Sequence, residues 1–113
     1  DLFVCGIITG KEVHVKMTGC DFVFDKDYKL LTLKQRRDKV FLEKHLPNIA
    51  SALDMQKGQD LGIFTQGLLQ NLEEHEQYLY QHDDDISKLK EIVKQQQQII
   101  EEMKKQLDEL KNK

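Results

Sequence analysis

A heptad repeat occupies the C-terminal half of the chain and constrains its fold more than any other feature. Positions a and d, spaced three and four residues apart, continue through seven heptads between Leu61 and Leu110. No Gly follows Gly67 and no Pro follows Pro47, so neither residue interrupts this stretch. The pattern predicts one helix of about 75 Å at 1.5 Å per residue, with Asp60 as its N-cap. The small N-terminal part cannot cover such a helix, so other helices must bury its apolar stripe.

The residues of this stripe predict a parallel trimeric coiled coil. Six of the seven a positions are aliphatic, and Ile92 and Ile99 at position g widen the apolar face enough to suit three helices better than two. Asp85 at g and Lys90 at e would form an attractive interchain pair. Position a holds Thr65, Leu72, Leu79, Ile86, Val93, Ile100 and Leu107; position d holds Leu61, Leu68, His75, His82, Leu89, Gln96, Met103 and Leu110. The expected oligomerisation residues are Leu72, Leu79, Ile86, Leu89, Val93, Ile100, Met103 and Leu107.

Three polar residues interrupt the apolar stripe at position d. His75, His82 and Gln96 would each repeat across the chains of a parallel bundle and form a polar layer at its axis. Polar core layers commonly fix register and strand number at some cost in stability, and that is the role we predict for them. No neighbouring carboxylate is placed to orient the imidazole rings, which favours this role over ion binding. The sequence still leaves open whether the rings bind an ion.

Residues 1–27 predict a small β-rich collar shared between chains. Runs of β-branched and aromatic residues occur at 2–8 and 22–24, and apolar residues alternate with polar ones over 12–17. Thr9-Gly10-Lys11 would form the turn between the first two strands. Three short strands are marginal alone, so we expect other copies of the chain to complete the core.

Residues 28–60 predict a linker with two short helices. Thr32 and Gln35 match a capping box that would open the first helix before Pro47, and Ser51 with Asp54 would open the second, which ends at Gly58. The first helix also carries four basic residues, Lys34, Arg36, Arg37 and Lys39. Acidic neighbours and the lack of interleaved aromatics favour a solvated helix face over a phosphate-binding patch. With residues 61–113 as the coiled coil, the predicted fold class is α+β.

Composition excludes several classes of partner. The formal net charge of −3 gives no electrostatic basis for binding nucleic acid, and no apolar run is long enough for membrane insertion. Cys5 and Cys20 are too few for a disulfide framework, and we interpret each as a buried free thiol, although pairing between them stays open. The chain begins at Asp1 without a Met, so we interpret it as a fragment of a longer protein.

Catalytic chemistry has little support in the sequence. Ser51 and Ser87 are the only serines, and neither lies in a nucleophile motif. There is no glycine-rich phosphate loop, no paired-carboxylate signature and no metal-ligand spacing. We therefore expect a protein that is not an enzyme, with no cofactor and no metal site.

Several blocks together resemble a family of fibre proteins. These blocks are Gly10-Lys11-Glu12-Val13, Asp27-Tyr28-Lys29-Leu30, His45-Leu46-Pro47, Ser51-Ala52 and Asp60-Leu61-Gly62, in this order ahead of a coiled coil. Over nearly the whole chain they are similar to the C-terminal region of bacterial and phage tail-fibre-domain proteins and fibre-like surface proteins. Cys20 departs from the family, in which an aromatic residue is usual there. The resemblance implies an extracellular location, on a bacterial cell surface or a phage-like particle.

Together these features predict a structural C-terminal module that trimerises and registers an extracellular fibre. Any contact with a host surface receptor would be made through the parent fibre, whose ligand the sequence does not identify. One alternative is a receptor- or glycan-binding module of an adhesin, which an exposed aromatic patch at Phe22, Phe24 and Tyr28 would favour. A second alternative is an autoproteolytic intramolecular chaperone, for which the chain offers no matching Ser and Lys motif.

Overall fold

A computed structural model describes all 113 residues and contains helices only. A short 3-10 helix spans Asp21–Phe24, and three α-helices follow: α1 (Leu33–Glu43), α2 (Ala52–Gln56) and α3 (Leu61–Lys111). The chain divides into two compact units, Asp1–Glu74 and His75–Lys113. The first unit contains the 3-10 helix, α1, α2 and the start of α3, and the second is the remainder of α3.

The predicted β-rich collar over residues 1–27 is wrong, and with it the α+β fold class, because the structure contains no strand. Residues 1–20 have no regular secondary structure. An alternating apolar pattern forms a strand only where a second strand supplies a ladder of hydrogen bonds. Here the amides of Thr18 and Gly19 donate instead to the side-chain oxygen of Gln66, at 3.2 and 3.3 Å. The predicted strand 22–24 is a 3-10 turn that buries Val23 completely.

Helix α1 begins as its sequence predicts. The Thr32 hydroxyl accepts from the Gln35 amide at 3.2 Å, and the Gln35 side chain accepts from the Thr32 amide at 3.0 Å, which completes the capping box. The helix ends at Glu43 because Lys44 adopts a left-handed conformation, with φ of 66°. Pro47 disfavours a helical conformation of the residue before it, so no new helical turn forms directly after α1.

Helix α2 is short, and its start also agrees with the sequence. The Ser51 hydroxyl accepts from the Asp54 amide at 3.2 Å, which caps the first turn. The helix ends at Gln56, and Gly58 then takes a φ of 125°, a conformation that few other residues adopt. This turn leads into α3, which begins at Leu61, directly after the predicted N-cap Asp60.

The chain has very little hydrophobic core of its own. Val23, Cys20 and Tyr78 are its only buried hydrophobic residues, with exposed fractions of 0%, 1% and 5%. In the second unit every residue from Leu79 to Lys113 is exposed. Stable helices of this kind normally depend on burying an apolar face. The apolar residues of α3 are therefore exposed to solvent in the single chain, although a stable helix would bury them.

Candidate functional site

Two opposite faces of α3 carry the features relevant to function. The first is the seam, which we define as the a and d positions of the heptad repeat. All eight predicted oligomerisation residues are exposed there, with exposed fractions between 45% for Ile100 and 64% for Leu72. They are Leu72, Leu79, Ile86, Leu89, Val93, Ile100, Met103 and Leu107. A contiguous exposed apolar stripe is typical of an interaction surface.

The N-terminal residues contact the other face of α3 and leave the seam open. Residues 18–36 bind the start of α3 through hydrogen bonds at Gln66, Gln70, Asn71, Glu73 and Glu74. These residues occupy positions b, f, g, b and c, so none of them belongs to the seam. Positions b, c and f lie on the side of the helix away from a and d, and only Asn71 at position g borders the seam. The contacts within one chain therefore do not compete for the apolar stripe.

A polar network with a buried centre, formed by Arg36, Asn71 and Glu74, holds the first unit together. We define it as the six side chains Tyr28, Arg36, Asn48, Gln70, Asn71 and Glu74. The Glu74 carboxylate lies at its centre: one oxygen accepts from the Tyr28 hydroxyl at 2.6 Å, and the other pairs with the Arg36 guanidinium. Arg36 and Glu74 are 7% and 6% exposed, so this ion pair is shielded from water. A buried pair of this kind is costly to break because it leaves an uncompensated charge.

Asn48 and Asn71 extend the network beside the ion pair. The Asn71 side-chain oxygen accepts from Asn48 at 2.9 Å and from Arg36 at 3.3 Å. Gln70 donates to the Tyr28 hydroxyl at 3.2 Å. Asn48 takes a left-handed conformation directly after Pro47, which Asn tolerates better than most residues. The network thereby joins three separate segments of the N-terminal region to α3.

The network shifts the pKa of two of its members. Burial alone raises the pKa of the Glu74 carboxyl, but hydrogen bonds from Tyr28, Arg36 and Asn48 and the charge of Arg36 together hold it below its ordinary value of 4.5. Burial and the hydrogen bond to Glu74 raise the pKa of the Tyr28 hydroxyl. The network thus favours an ionised Glu74 and a neutral Tyr28.

We expect the first unit to lose stability in acid because of Glu74. Its folded pKa is lower than its unfolded one, so the unfolded chain binds more protons over the interval between them. The contribution is complete above pH 4.5 and is lost as the pH falls through the folded pKa. Urea unfolding at a series of acidic pH values measures the slope of the free energy of unfolding against pH. The Glu74→Gln variant should show a shallower slope, and an unchanged slope would assign the effect to another group.

The two cysteines differ in their surroundings, and both are free. Cys20 is buried as predicted, and its thiol donates to the Glu73 carboxylate at 3.2 Å. Burial, together with Glu73 and the charge of Asp21, raises the pKa of the Cys20 thiol to about 11, which makes it a poor nucleophile. The prediction of a buried thiol is wrong for Cys5, which is exposed.

Gly67 allows the N-terminal region to approach α3 closely. A Cβ atom at this position would overlap the backbone carbonyl of Asn48. At Gly62, a Cβ atom would lie 2.9 Å from a methyl group of the Val15 side chain, a milder overlap that involves no backbone atom. A Gly inside a helical pattern can mark such a close approach. Gly67 within the helical pattern is the one sequence signal that could have located the contact between the N-terminal region and α3.

We expect Gly67→Ala to destabilise the protein. Gly→Ala in an ordinary helix interior gains about 1 kcal/mol. At Gly67 the steric overlap with the Asn48 backbone reverses the sign, and a loss of about 1–3 kcal/mol is typical of overpacking. Urea unfolding measures the change, with Gly62→Ala as the matched control on the same helix. A Gly67→Ala variant as stable as this control would show that the N-terminal region does not lie against α3 at this point.

The structure corrects one prediction about charged residues and leaves the polar layers untested. Of the four basic residues predicted to lie on a solvated face of α1, Lys34, Arg37 and Lys39 are exposed, but Arg36 is buried against Glu74. Nothing in the pattern of α1 distinguishes Arg36 from its neighbours. The predicted layer residues His75, His82 and Gln96 are exposed in the single chain.

The chain has no cluster of metal-ligating side chains and no helix that could span a membrane. No three His, Cys, Asp or Glu side chains among the 113 described residues are grouped to bind a metal ion. None of the helices combines the length and the apolar character needed to cross a lipid bilayer. Comparison of the chain with protein-family models, curated proteins and solved structures yields no match.

Proposed function

We propose that this protein is the C-terminal trimerisation and registration module of an extracellular fibre, assembled as a parallel homotrimer through α3. The observation that carries the proposal is the exposed seam, which remains open along the helix while the N-terminal residues occupy the opposite face. Leaving such a stripe in water costs about 25 cal/mol per Å² of apolar surface. Other copies of the same chain offer a matching stripe.

Three chains suit this surface better than two. Ile92 and Ile99 at position g are 46% and 55% exposed, so the apolar face extends beyond the a and d positions. A trimer covers a wider stripe on each helix than a dimer does. His75, His82 and Gln96 then form polar layers that penalise shifted registers, and Asp85 faces Lys90 of the next chain in the parallel arrangement.

The fibre role rests on the sequence blocks that resemble tail-fibre-domain proteins. In that setting the coil would act as an assembly nucleus for a longer polypeptide. Once three helices associate, the three N-terminal units are held at the same level and at high effective concentration. The fibre would lie on a bacterial cell surface or a phage-like particle, and a host receptor would be bound by other parts of it.

The experiment that tests the proposal is the mass of the intact chain in solution. Sedimentation equilibrium or light scattering should give the mass of three chains over a range of concentrations. A mass of one chain would overturn the proposal. A mass of two chains would keep the seam as an interface and refute the trimer.

A second candidate, a receptor- or glycan-binding module, is favoured by one observation. Phe22 and Phe24 are 43% and 52% exposed, and the Phe22 ring lies 5.8 Å from that of Tyr28 between ring centroids. Exposed aromatic rings provide stacking surfaces for ligands. A glycan array probed with the wild type and with Phe24→Ala tests this function. The function requires that the wild type binds a glycan and that the variant does not.

A further inference from the structure

We propose that a groove on α1 receives the e flank of α3 from a neighbouring copy of the chain, so that the N-terminal unit is part of the interchain interface. The groove has a volume of about 270 Å³ and is lined by Leu33, Arg36, Arg37, Val40 and Phe41. The e flank is defined as Leu69 and Glu76. This inference rests on the proposed parallel assembly through the seam.

The groove is apolar along its length and basic at one point. Leu33 and Phe41 are 42% and 69% exposed, so the same chain covers them only in part. Arg36 forms an ion pair with Glu74, whereas the neighbouring Arg37 is exposed. A suitable occupant therefore has an apolar side chain beside an acidic one.

The order of contacts around α3 locates α1 on one flank of that helix. Residues 18–20 bind Gln66 and Glu73 at position b, and Tyr28 binds positions f and c. Arg36 of α1 binds Asn71 at position g and Glu74 at position c. Helix α1 therefore lies towards the g flank, on the side away from position e of its own chain.

In a parallel bundle, the g flank of one helix faces the e flank of the next. That flank carries Leu69, which is 41% exposed and has no place in the a and d seam, followed one heptad later by the exposed acidic Glu76. Leu69 and Glu76 are about 10 Å apart along α3, and Leu33 and Phe41 about 12 Å apart along α1, at 1.5 Å per residue. The flank thus offers an apolar side chain to the apolar lining of the groove and a carboxylate to Arg37.

The second copy is the occupant that these observations favour. The seam continues into the first unit through Leu61, Leu68 and Leu72, which are 59%, 43% and 64% exposed. Association along the seam therefore brings the N-terminal units of neighbouring copies to the same level. The α1 groove then forms a lateral extension of the same interface.

Cross-linking between distinguishable chains tests the proposal. A size-tagged Phe41→Cys chain is refolded with an untagged Leu69→Cys chain, both carrying Cys5→Ser, and treated with a short bifunctional maleimide. Cys20 is retained because it is buried. We expect a covalent tagged–untagged product. A Phe41→Cys and Leu53→Cys pair serves as the control, since Leu53 is an exposed α2 residue outside both surfaces.

A charge exchange provides a second measurement. Arg37→Glu should weaken assembly by about two- to fivefold in the dissociation constant, as expected for one exposed ion pair. Lys39→Glu on the same helix, outside the groove, should weaken it less. Combining Arg37→Glu with Glu76→Arg should restore the wild-type constant.

The outcomes separate this inference from the proposed function. A normal trimer without the Phe41–Leu69 product and without the charge rescue would overturn the inference and leave the seam intact. A freely reactive Phe41→Cys thiol in that trimer would show that no second copy covers the groove, which also overturns the inference. A wild-type mass of one chain would refute the proposed function, and the inference with it.

Discussion

Replacing Ile100 with Asp is expected to dissociate the assembly, whereas replacing Gln98 with Asp is expected to leave it intact. Both residues are exposed in the single chain and lie on the same turns of α3, but Ile100 occupies position a of the seam and Gln98 occupies position f. The two variants introduce the same charge and the same side chain. Any difference between them therefore reports on the face of the helix.

The expected effect is large because it is repeated in every chain. Loss of the buried Ile side chain, together with an unpaired charge in an apolar layer, costs about 3 kcal/mol or more per chain. A trimer then loses roughly 9 kcal/mol, which corresponds to more than six powers of ten in the association constant. Sedimentation at micromolar concentration should show single Ile100→Asp chains with reduced helicity, because α3 relies on its partners.

This prediction can fail in two informative ways. An Ile100→Asp protein that remains a trimer would show that the seam is not buried between chains at this layer. Equal dissociation of Ile100→Asp and Gln98→Asp would mean that added negative charge, rather than the seam, controls assembly. Repeating the measurement at high salt distinguishes these cases, since screening weakens charge repulsion between exposed groups.

The second large effect is expected from breaking the Arg36–Glu74 ion pair. Arg36→Leu leaves the Glu74 carboxylate buried with its main counter-charge removed, which typically costs about 3–5 kcal/mol. The Cys20 thiol reports on this loss in a Cys5→Ser background, because Cys20 is 1% exposed and reacts only when the first unit opens. Its labelling should become about a hundred- to a few thousand-fold faster.

Two further variants identify the cause of that change. Lys39→Leu removes an exposed charge from the same helix and should leave the labelling of Cys20 nearly unchanged. Arg36→Leu combined with Glu74→Gln removes both charges and should recover part of the protection, because no uncompensated ion remains. Equal labelling in Arg36→Leu and the double variant would mean that packing by the Arg36 side chain, not its charge, stabilises the first unit.

The starts of the helices could be predicted because local chemistry determines them. The Thr32 and Gln35 capping box, the Ser51 cap and the start of α3 after Asp60 each depend on residues within one turn. The prediction of strands in residues 1–27 was wrong because strand formation depends on distant residues, not on local ones. A strand requires a partner elsewhere in the chain, and the amides of Thr18 and Gly19 bind Gln66, 48 and 47 residues away.

The sequence by itself determined a long uninterrupted helix and the position of its apolar stripe, because a heptad pattern is a local property of one segment. Only the tertiary structure decided that Arg36 is buried against Glu74 and that the N-terminal residues occupy the face opposite the seam. Arg36 and Glu74 are 38 residues apart, and neither has neighbours that distinguish it from a solvated charge. Burial of such a pair depends on how separate segments pack, which no local pattern records.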